Sequence, residues 1–210
     1  MASDTPSVLT ALHRLKSIAL EGLQFCRNPY DIDRYNKLLD VTSATYAELL
    51  RAEAGQILEA FRGEIGVVTP KLGADAAVPD GHGRILLLKR SDGRGWGLPG
   101  GWMDVHESPA QAAVREVWEE AGLRVEPVAY AAISCKGPDT GPHLYHQVNI
   151  VTLMKPVPAG AGIVLSHEHT EYRWIAGLPV DIELNAGHEV QIRKIFEFLG
   201  GGTARGLPFQ

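Results

Sequence analysis

One short helix with a marked start and stop constrains this chain more than any other feature. Ser108 and Pro109 are typical of a helix N-terminus, because a hydroxyl caps the first turn and proline has the backbone angle that the turn needs. Gly122 is typical of the residue just past a helix end. Between these signals, apolar residues recur every three or four positions and predict an inward face: Ala110, Ala113, Val114, Val117 and Ala121.

Another side of the same predicted helix carries three glutamates. Glu116, Glu119 and Glu120 stand at positions i, i+3 and i+4, which are neighbours on a helix surface. Crowded carboxylates repel one another, so the spacing favours a bound cation, and Mg²⁺ or Mn²⁺ is expected because both prefer oxygen ligands. An ordinary solvated face is the alternative, and it would be favoured for an isolated E-x-x-E-E. The residues around the helix reverse that preference.

The helix lies inside a longer pattern, G-x5-E-x7-R-E-U-x-E-E-x-G-U with U apolar, which runs from Gly101 to Leu123 without a departure. This run resembles the signature of the Nudix hydrolases, which cut a diphosphate that links a nucleoside to another group. The resemblance implies an α/β (α+β) fold, with a mixed sheet in an α/β/α sandwich. It also implies divalent metal binding, with the number of ions left open, by Glu116, Glu119, Glu120 and the carbonyl of Gly100.

Four other residues of the signature are implied to have structural roles. Glu107 and Arg115 are expected to pair and to fix the loop that delivers the substrate, while Gly101 and Gly122 are its fixed glycines. The glycine-rich turn at 96–101 allows the backbone to approach a ligand closely.

Two basic residues are candidates for phosphate contacts. Lys89 and Arg90 end an apolar run and face the glycine-rich turn. An ordinary exposed strand end is the alternative, and the sequence does not decide between them.

The general base has several candidates. In the family an acidic residue on a late loop often takes this role, which here gives Glu168 as first choice and Glu171 as second. Glu120 is a third candidate, because family members differ on this point. Glu119 is counted as catalytic with Glu120, since its loss should reduce turnover at least about a hundredfold.

Histidines and aromatic residues leave further alternatives open. His167 and His169 suggest zinc, but two histidines without a third ligand are more typical of a solvated loop. The same ambiguity holds for His143 and His146. Base stacking and core packing are both open for three aromatic residues: Trp96, Trp102 and Tyr145.

Changes in periodicity divide the chain of 210 residues into three parts. Helical spacing predicts an N-terminal extension over 1–62, opened by Thr5-Pro6 and again by Asn28-Pro29. The second helix either continues or breaks near Gly55. A hydrolase domain is expected over 63–200 and a loose tail over 201–210. Within the domain, strands are predicted at 64–69, 73–78, 85–88, 125–134, 145–154 and 171–174, and a last helix at 186–199.

The stretches at 15–41, 68–78 and 83–105 resemble the bacterial CDP-choline pyrophosphatase-type Nudix proteins, which carry a helical N-terminal extension. The resemblance covers roughly residues 9 to 125. It implies hydrolysis of CDP-choline, or a similar CDP-alcohol, to CMP and a phospho-alcohol. The alternatives are an ADP-ribose or other nucleoside-diphosphate-sugar pyrophosphatase and, third, a nucleotide-binding regulator without catalysis.

Composition limits the partners that we expect. The net charge of −5 makes DNA an unlikely ligand, while RNA ends stay open because some relatives trim them. Cys26 and Cys135 show no metal or disulfide pattern, and no signal peptide or membrane span is evident, so a cytoplasmic protein is expected. The extension cannot bury its apolar stripes alone, which predicts docking or a homodimer.

Overall fold

The computed structural model describes residues 8–66, 68–137, 145–157 and 162–201. Contacts divide these residues into two units. The first holds the described part of 1–70 together with that of 136–146, and the second holds 71–135 and the described part of 147–210. No described helix is long and apolar enough to cross a membrane.

The first unit contains three helices, α1 (Val8–Phe25), α2 (Pro29–Leu50) and α3 (Ala54–Arg62). Asn28 caps α2, because its side chain accepts a hydrogen bond of 2.9 Å from the N–H of Tyr30. The helix ends at Arg51, which has a left-handed backbone with φ of 52°. The break therefore comes four residues before the predicted Gly55, and the predicted opening at Thr5-Pro6 lies outside the described residues.

Apolar residues from all three helices form the core of this unit. Leu20, Leu39, Tyr46 and Phe61 have no exposed surface, and the rings of Tyr46 and Phe61 meet edge to face with centroids 5.4 Å apart. The strand predicted at 64–69 is wrong in the described residues of that range, which form a turn and irregular chain after α3. Its local pattern was too short to distinguish a strand from a connection.

The second unit contains the two sheets. A four-stranded sheet has the order β4-β1-β6-β5, where β1 is Lys71–Ala77, β4 Gly100–Trp102, β5 Val125–Lys136 and β6 Gln147–Pro156. A three-stranded sheet has the order β3-β2-β7, where β2 is Ile85–Arg90, β3 Trp96–Gly97 and β7 His169–Ile175. Since β1 pairs parallel to β6 and antiparallel to β4, the predicted mixed sheet is confirmed.

Two helices cover the strands on opposite faces. Helix α4 (Pro109–Ala121) packs with the side chains of β1 and β2 that point one way, including Ala76 and Leu88. Helix α5 (His188–Leu199) packs with those that point the other way, including Ala77 and Leu87. The apolar run at 85–88 is buried throughout because it lies between two helix-covered faces. The predicted α/β/α sandwich is therefore confirmed.

Candidate active site

Helix α4 begins and ends where its sequence signals stand. The Ser108 hydroxyl accepts a hydrogen bond of 3.3 Å from the N–H of Gln111, and the Gln111 side chain accepts one of 2.9 Å from the N–H of Ser108. This reciprocal pair caps the first turn. Gly122 ends the helix with φ of 66°, which glycine adopts without steric cost.

The three glutamates of α4 have different environments. Glu120 is buried, with 5% of its surface exposed, and its Oε2 accepts a hydrogen bond of 2.9 Å from the N–H of Gly100. Glu116 is partly buried, whereas the Glu119 side chain is 54% exposed. The helix therefore presents one enclosed carboxylate, one at the edge and one facing solvent.

Arg115 connects the helix to the loop before it. Its guanidinium forms a two-point ion pair with Glu107, at 2.8 Å and 3.0 Å, and donates to the carbonyl of Trp102 at 3.1 Å. Its Nη1 also donates to Glu116 and to Glu119, each at 2.9 Å. Glu107 raises the pKa of Arg115 further, so this side chain stays charged.

Burial changes the charge balance among the carboxylates. It raises the pKa of Glu120 to about 8, against the opposing hydrogen bond from Gly100, and the charges of Glu116 and Glu168 act in the same direction. Burial also raises the pKa of Glu116, where Glu119 and Glu168 contribute and Arg115 opposes. The site thus crowds carboxyl groups in a partly enclosed position, where their charged forms are disfavoured.

Two glycines bring backbone against these carboxylates. Gly100 has φ of 155° and pairs with Asp75 of β1, and a Cβ there would lie 2.5 Å from Asp75 Oδ1 and from the carbonyl oxygen of Ala74. A Cβ on Gly101 would lie 2.6 Å from Glu116 Oε1. Gly100 requires glycine because a side chain would collide with the backbone of β1, whereas a side chain at position 101 would displace the Glu116 carboxylate.

The late loop brings Glu168 to the same cluster. The N–H of Ser166 donates to the carbonyl of Glu120 at 3.0 Å, and the N–H of Ser91 donates to that of Glu168 at 2.8 Å. The Glu168 side chain is exposed, and its charge contributes to the raised pKa values of Glu116 and Glu120. It is therefore close enough to act electrostatically on both.

The two basic candidates and Glu171 differ in how they relate to the carboxylate cluster. Arg90 pairs with Asp92, and its pKa is raised first by that residue and then by Glu168 and Glu120, so it borders the cluster. Lys89 instead forms an ion pair with Glu171 across β2 and β7. The carboxylate of Glu171 is therefore held in an ion pair with Lys89.

His169 is a residue of the site that sequence reasoning missed. The interpretation as a solvated loop residue is wrong for it, because it is buried as the first residue of β7, opposite Arg90. Its Nε2 lies 3.7 Å from Glu120 Oε1, and burial lowers its pKa, which favours the neutral ring. The strand was predicted from 171, and a start two residues earlier would have placed His169 in the sheet.

The remaining histidines and aromatic residues differ in exposure and in the unit to which they belong. His167 and His146 are exposed, while His143 lies outside the described residues. Trp96 belongs to the core of the second unit, Trp102 is about half exposed, and the Tyr145 ring lies 5.5 Å from Lys16 Nζ in the first unit.

A buried polar cluster on β1, β6 and α5 also had no signal in the sequence. Asp75 Oδ2 accepts hydrogen bonds of 2.6 Å from the amide groups of Asn149 and Gln191, and Gln191 also donates to Ser134 at 3.1 Å. The elements are far apart in sequence, so the cluster forms only when β1 pairs with β6 and α5 covers the sheet. Its Asp75 packs directly against Gly100, as described above.

The donor atoms of α4 and the glycine turn suit a hard divalent cation. Glu116 and Glu120 are carboxylates whose charged forms are disfavoured by burial and by each other, and a cation between them would offset that cost. As they stand, no three acidic, histidine or cysteine side chains among the described residues converge on one point. Glu119 is held by Arg115 and would have to turn to join the other two.

Comparison with known proteins identifies the family. The model of the NUDIX domain matches residues 69–194, more than half of the chain. The chain belongs to the Nudix family. A second model, described as a UDP-X-like N-terminal oligomerisation domain, matches residues 6–61 of this Nudix protein.

Individual relatives agree with this assignment. The chain is 30% identical over 162 residues to the putative ADP-ribose pyrophosphatase YjhB of Bacillus subtilis, which covers 76% of this chain and 77% of that protein. A crystal structure of a UDP-X diphosphatase shares the fold, with a TM-score of 0.54, 21% identity and coverage of 91% and 93%. An ADP-ribose pyrophosphatase from Streptococcus suis matches with a TM-score of 0.51, 27% identity and coverage of 66% and 97%.

These findings establish the class of chemistry. The protein is a Nudix pyrophosphohydrolase that acts on nucleoside diphosphate derivatives, and enzymes of this family generally need a divalent metal ion. The family also disfavours the third alternative from the sequence, a regulator without catalysis, since all the signature carboxylates are present.

Proposed function

We propose that this Nudix protein hydrolyses pyrimidine nucleoside diphosphates that carry a small second group, with CDP-choline as the leading substrate. The buried Glu120, placed beside Glu116 and Glu168 and bonded to the Gly100 backbone, is the observation that carries the hydrolytic part of this proposal. The pyrimidine part is supported by the sequence resemblance and by the UDP-X-like model over residues 6–61.

Glu116, Glu120 and the carbonyl of Gly100 are the proposed metal ligands, with Glu119 joining them when it leaves Arg115. A bound Mg²⁺ or Mn²⁺ would neutralise charge on the diphosphate and lower the pKa of an attacking water. Arg90 borders the carboxylates and is the better placed of the two basic candidates to hold a phosphate oxygen. Lys89 is the weaker candidate, because it already pairs with Glu171.

Glu168 is the proposed general base. It acts electrostatically on both Glu116 and Glu120, and its exposed side chain is free to reach a water molecule at the edge of the cluster. Glu171 is a weaker candidate because its carboxylate faces Lys89. Catalysis then depends mainly on position and electrostatics, as in other phosphoryl transfers.

ADP-ribose is the second candidate substrate. The YjhB relative, named as a putative ADP-ribose pyrophosphatase, aligns with 76% of this chain. The two candidates use the same metal site and differ only in the nucleoside and the second group.

A substrate panel tests the proposal. Purified protein with Mg²⁺ is incubated with CDP-choline, CDP-ethanolamine, UDP-glucose and ADP-ribose, and nucleoside monophosphates are quantified by chromatography. We expect CMP from CDP-choline to form at least about tenfold faster than AMP from ADP-ribose. A reversed order would assign ADP-ribose, and no turnover of any member would contradict the proposed substrate class.

We also propose that the N-terminal helices make the protein a homodimer. The match to an oligomerisation domain over residues 6–61 supports this assembly, and so do the exposed apolar residues of α1 and α2.

A further inference from the structure

Helix α1 carries a second apolar stripe besides the one that packs into its own unit. Leu12, Ala19 and Leu20 point inward and are buried. Four other apolar residues of the helix remain between 39% and 67% exposed: Val8, Leu15, Ile18 and Phe25. A line of exposed apolar side chains along one helix is typical of a contact with another molecule.

The spacing of this outer stripe is that of a coiled-coil seam. Its members follow one another at intervals of seven, three and seven residues, which are the a and d positions of a heptad. The two remaining a and d positions hold the small residues Ala11 and Gly22. At Gly22 the ring of Tyr35 from α2 takes the place of a side chain, since a Cβ there would lie 2.4 Å from it.

We propose that α1 pairs with α1 of a second copy in an antiparallel seam, which specifies the interface of the homodimer proposed above. In that arrangement Leu15 packs against the partner's Ile18, and Val8 packs against the partner's Phe25. Both pairs are symmetric about the same point, between residues 16 and 17. A single two-fold axis through that point therefore relates the two copies, and each pair occurs twice.

Charge selects the antiparallel direction over the parallel one. Arg14 and Glu21 are exposed residues that flank the outer edge of the stripe at equivalent heptad positions. Antiparallel helices bring Arg14 beside the partner's Glu21 twice, with an axial offset of about 3 Å. A parallel pair would instead bring Arg14 beside the partner's position 19, which is buried inside its own copy, and Glu21 beside position 26, so the two charges would not meet.

Sedimentation equilibrium of the full-length protein tests the seam. Wild-type protein is expected to be a dimer, and Ile18→Glu should raise the dissociation constant at least about a hundredfold, because a charge would lie at the centre of the contact. Val180→Glu is the matched control, since Val180 is 97% exposed in the other unit. A monomeric wild type, or an Ile18→Glu variant that dimerises like wild type, would overturn the seam.

Charge reversal tests the pairing of Arg14 with Glu21. Arg14→Glu should weaken the dimer roughly tenfold, because it creates two repulsive pairs, and adding Glu21→Arg should restore it. If Arg14→Glu weakened the dimer only by unfolding the protein, adding Glu21→Arg would not restore dimerisation. Restoration would therefore show that the two charges pair. Equal dissociation constants for the single and double variants would contradict the pairing.

Disulfide trapping tests the direction. In a background with Cys26→Ser and Cys135→Ser, Leu15→Cys and Ile18→Cys proteins are mixed and oxidised. The antiparallel seam predicts a crosslink between the two different variants, whereas a parallel seam would crosslink each variant to itself. Turnover is measured separately, so an inactive dimer counts against the proposed function and leaves the seam intact.

Discussion

The N–H of Gly100 donates a hydrogen bond of 2.9 Å to Glu120 Oε2 and so connects strand β4 to helix α4. Gly100 and Glu120 are both proposed metal ligands, one through its carbonyl and one through its carboxylate. The hydrogen bond fixes their separation. Because Asp75 packs against the other side of Gly100, the buried polar cluster of β1, β6 and α5 holds the same turn in place.

Replacing Gly100 by alanine should therefore disturb both stability and the site. A Cβ would lie 2.5 Å from the backbone of Ala74 and from Asp75, in a backbone conformation that alanine rarely adopts. We expect a loss of about 2–4 kcal/mol in the free energy of unfolding by urea. Gly55→Ala is the control, because nothing lies within 4 Å of that position, and it should be neutral or slightly stabilising.

Glu119→Gln should reduce kcat at least about a hundredfold without loss of stability. Glu119 is half exposed and contributes little packing, so we expect its contribution to activity to come from metal binding. Steady-state turnover and thermal unfolding of the same preparation measure the two effects. Glu126→Gln, an exposed carboxylate on β5, is the control and should keep wild-type activity. A folded Glu119→Gln protein with full activity would rule out this residue as a ligand.

The two candidates for the general base can be separated by paired variants. Glu168→Gln should lower kcat by about 10²–10⁴-fold, the usual contribution of a general base. Glu171→Gln should lower it much less, because it mainly releases Lys89. The reverse ranking would assign the role to Glu171.

Metal-free protein should lose stability as pH rises, because of Glu120. Its pKa is about 8 in the folded state against an ordinary 4.5, so between these values the folded protein keeps a proton that the unfolded chain releases. The stabilisation is complete below pH 4.5 and disappears as pH rises through 8. Glu116, whose pKa is also raised, acts in the same direction.

Urea unfolding in EDTA at pH 5 and pH 8 measures this effect. Wild-type protein should lose more stability between the two values than Glu120→Gln, by an amount on the order of a few kcal/mol. Mg²⁺ should reduce the difference because it binds the charged carboxylate. Equal losses in the two proteins would mean that Glu120 has an ordinary pKa.

The sequence predicted those parts of the fold that local signals encode. Helix α4 occupies the range between Ser108 and Gly122 because capping and termination depend on neighbouring residues. The buried run of β2 and the last helix were predicted for the same reason, although α5 begins at His188 rather than 186.

The parts that the sequence missed depend on contacts between distant segments. His169 is buried only because β7 pairs with β2, and Asp75 meets Gln191 only because α5 covers the sheet. The predicted strand at 64–69 failed for a related reason, since a short apolar pattern without a partner strand does not fix its own conformation.

Binding of Mn²⁺ to the full-length protein, followed by electron paramagnetic resonance, tests the proposed metal site without any assumption about the substrate. Wild-type protein should bind Mn²⁺ and release it to excess Mg²⁺, and Glu126→Gln should behave in the same way. Glu120→Gln and Glu116→Gln should each weaken binding at least about tenfold. Unchanged Mn²⁺ affinity in both folded variants would contradict a metal site built on helix α4.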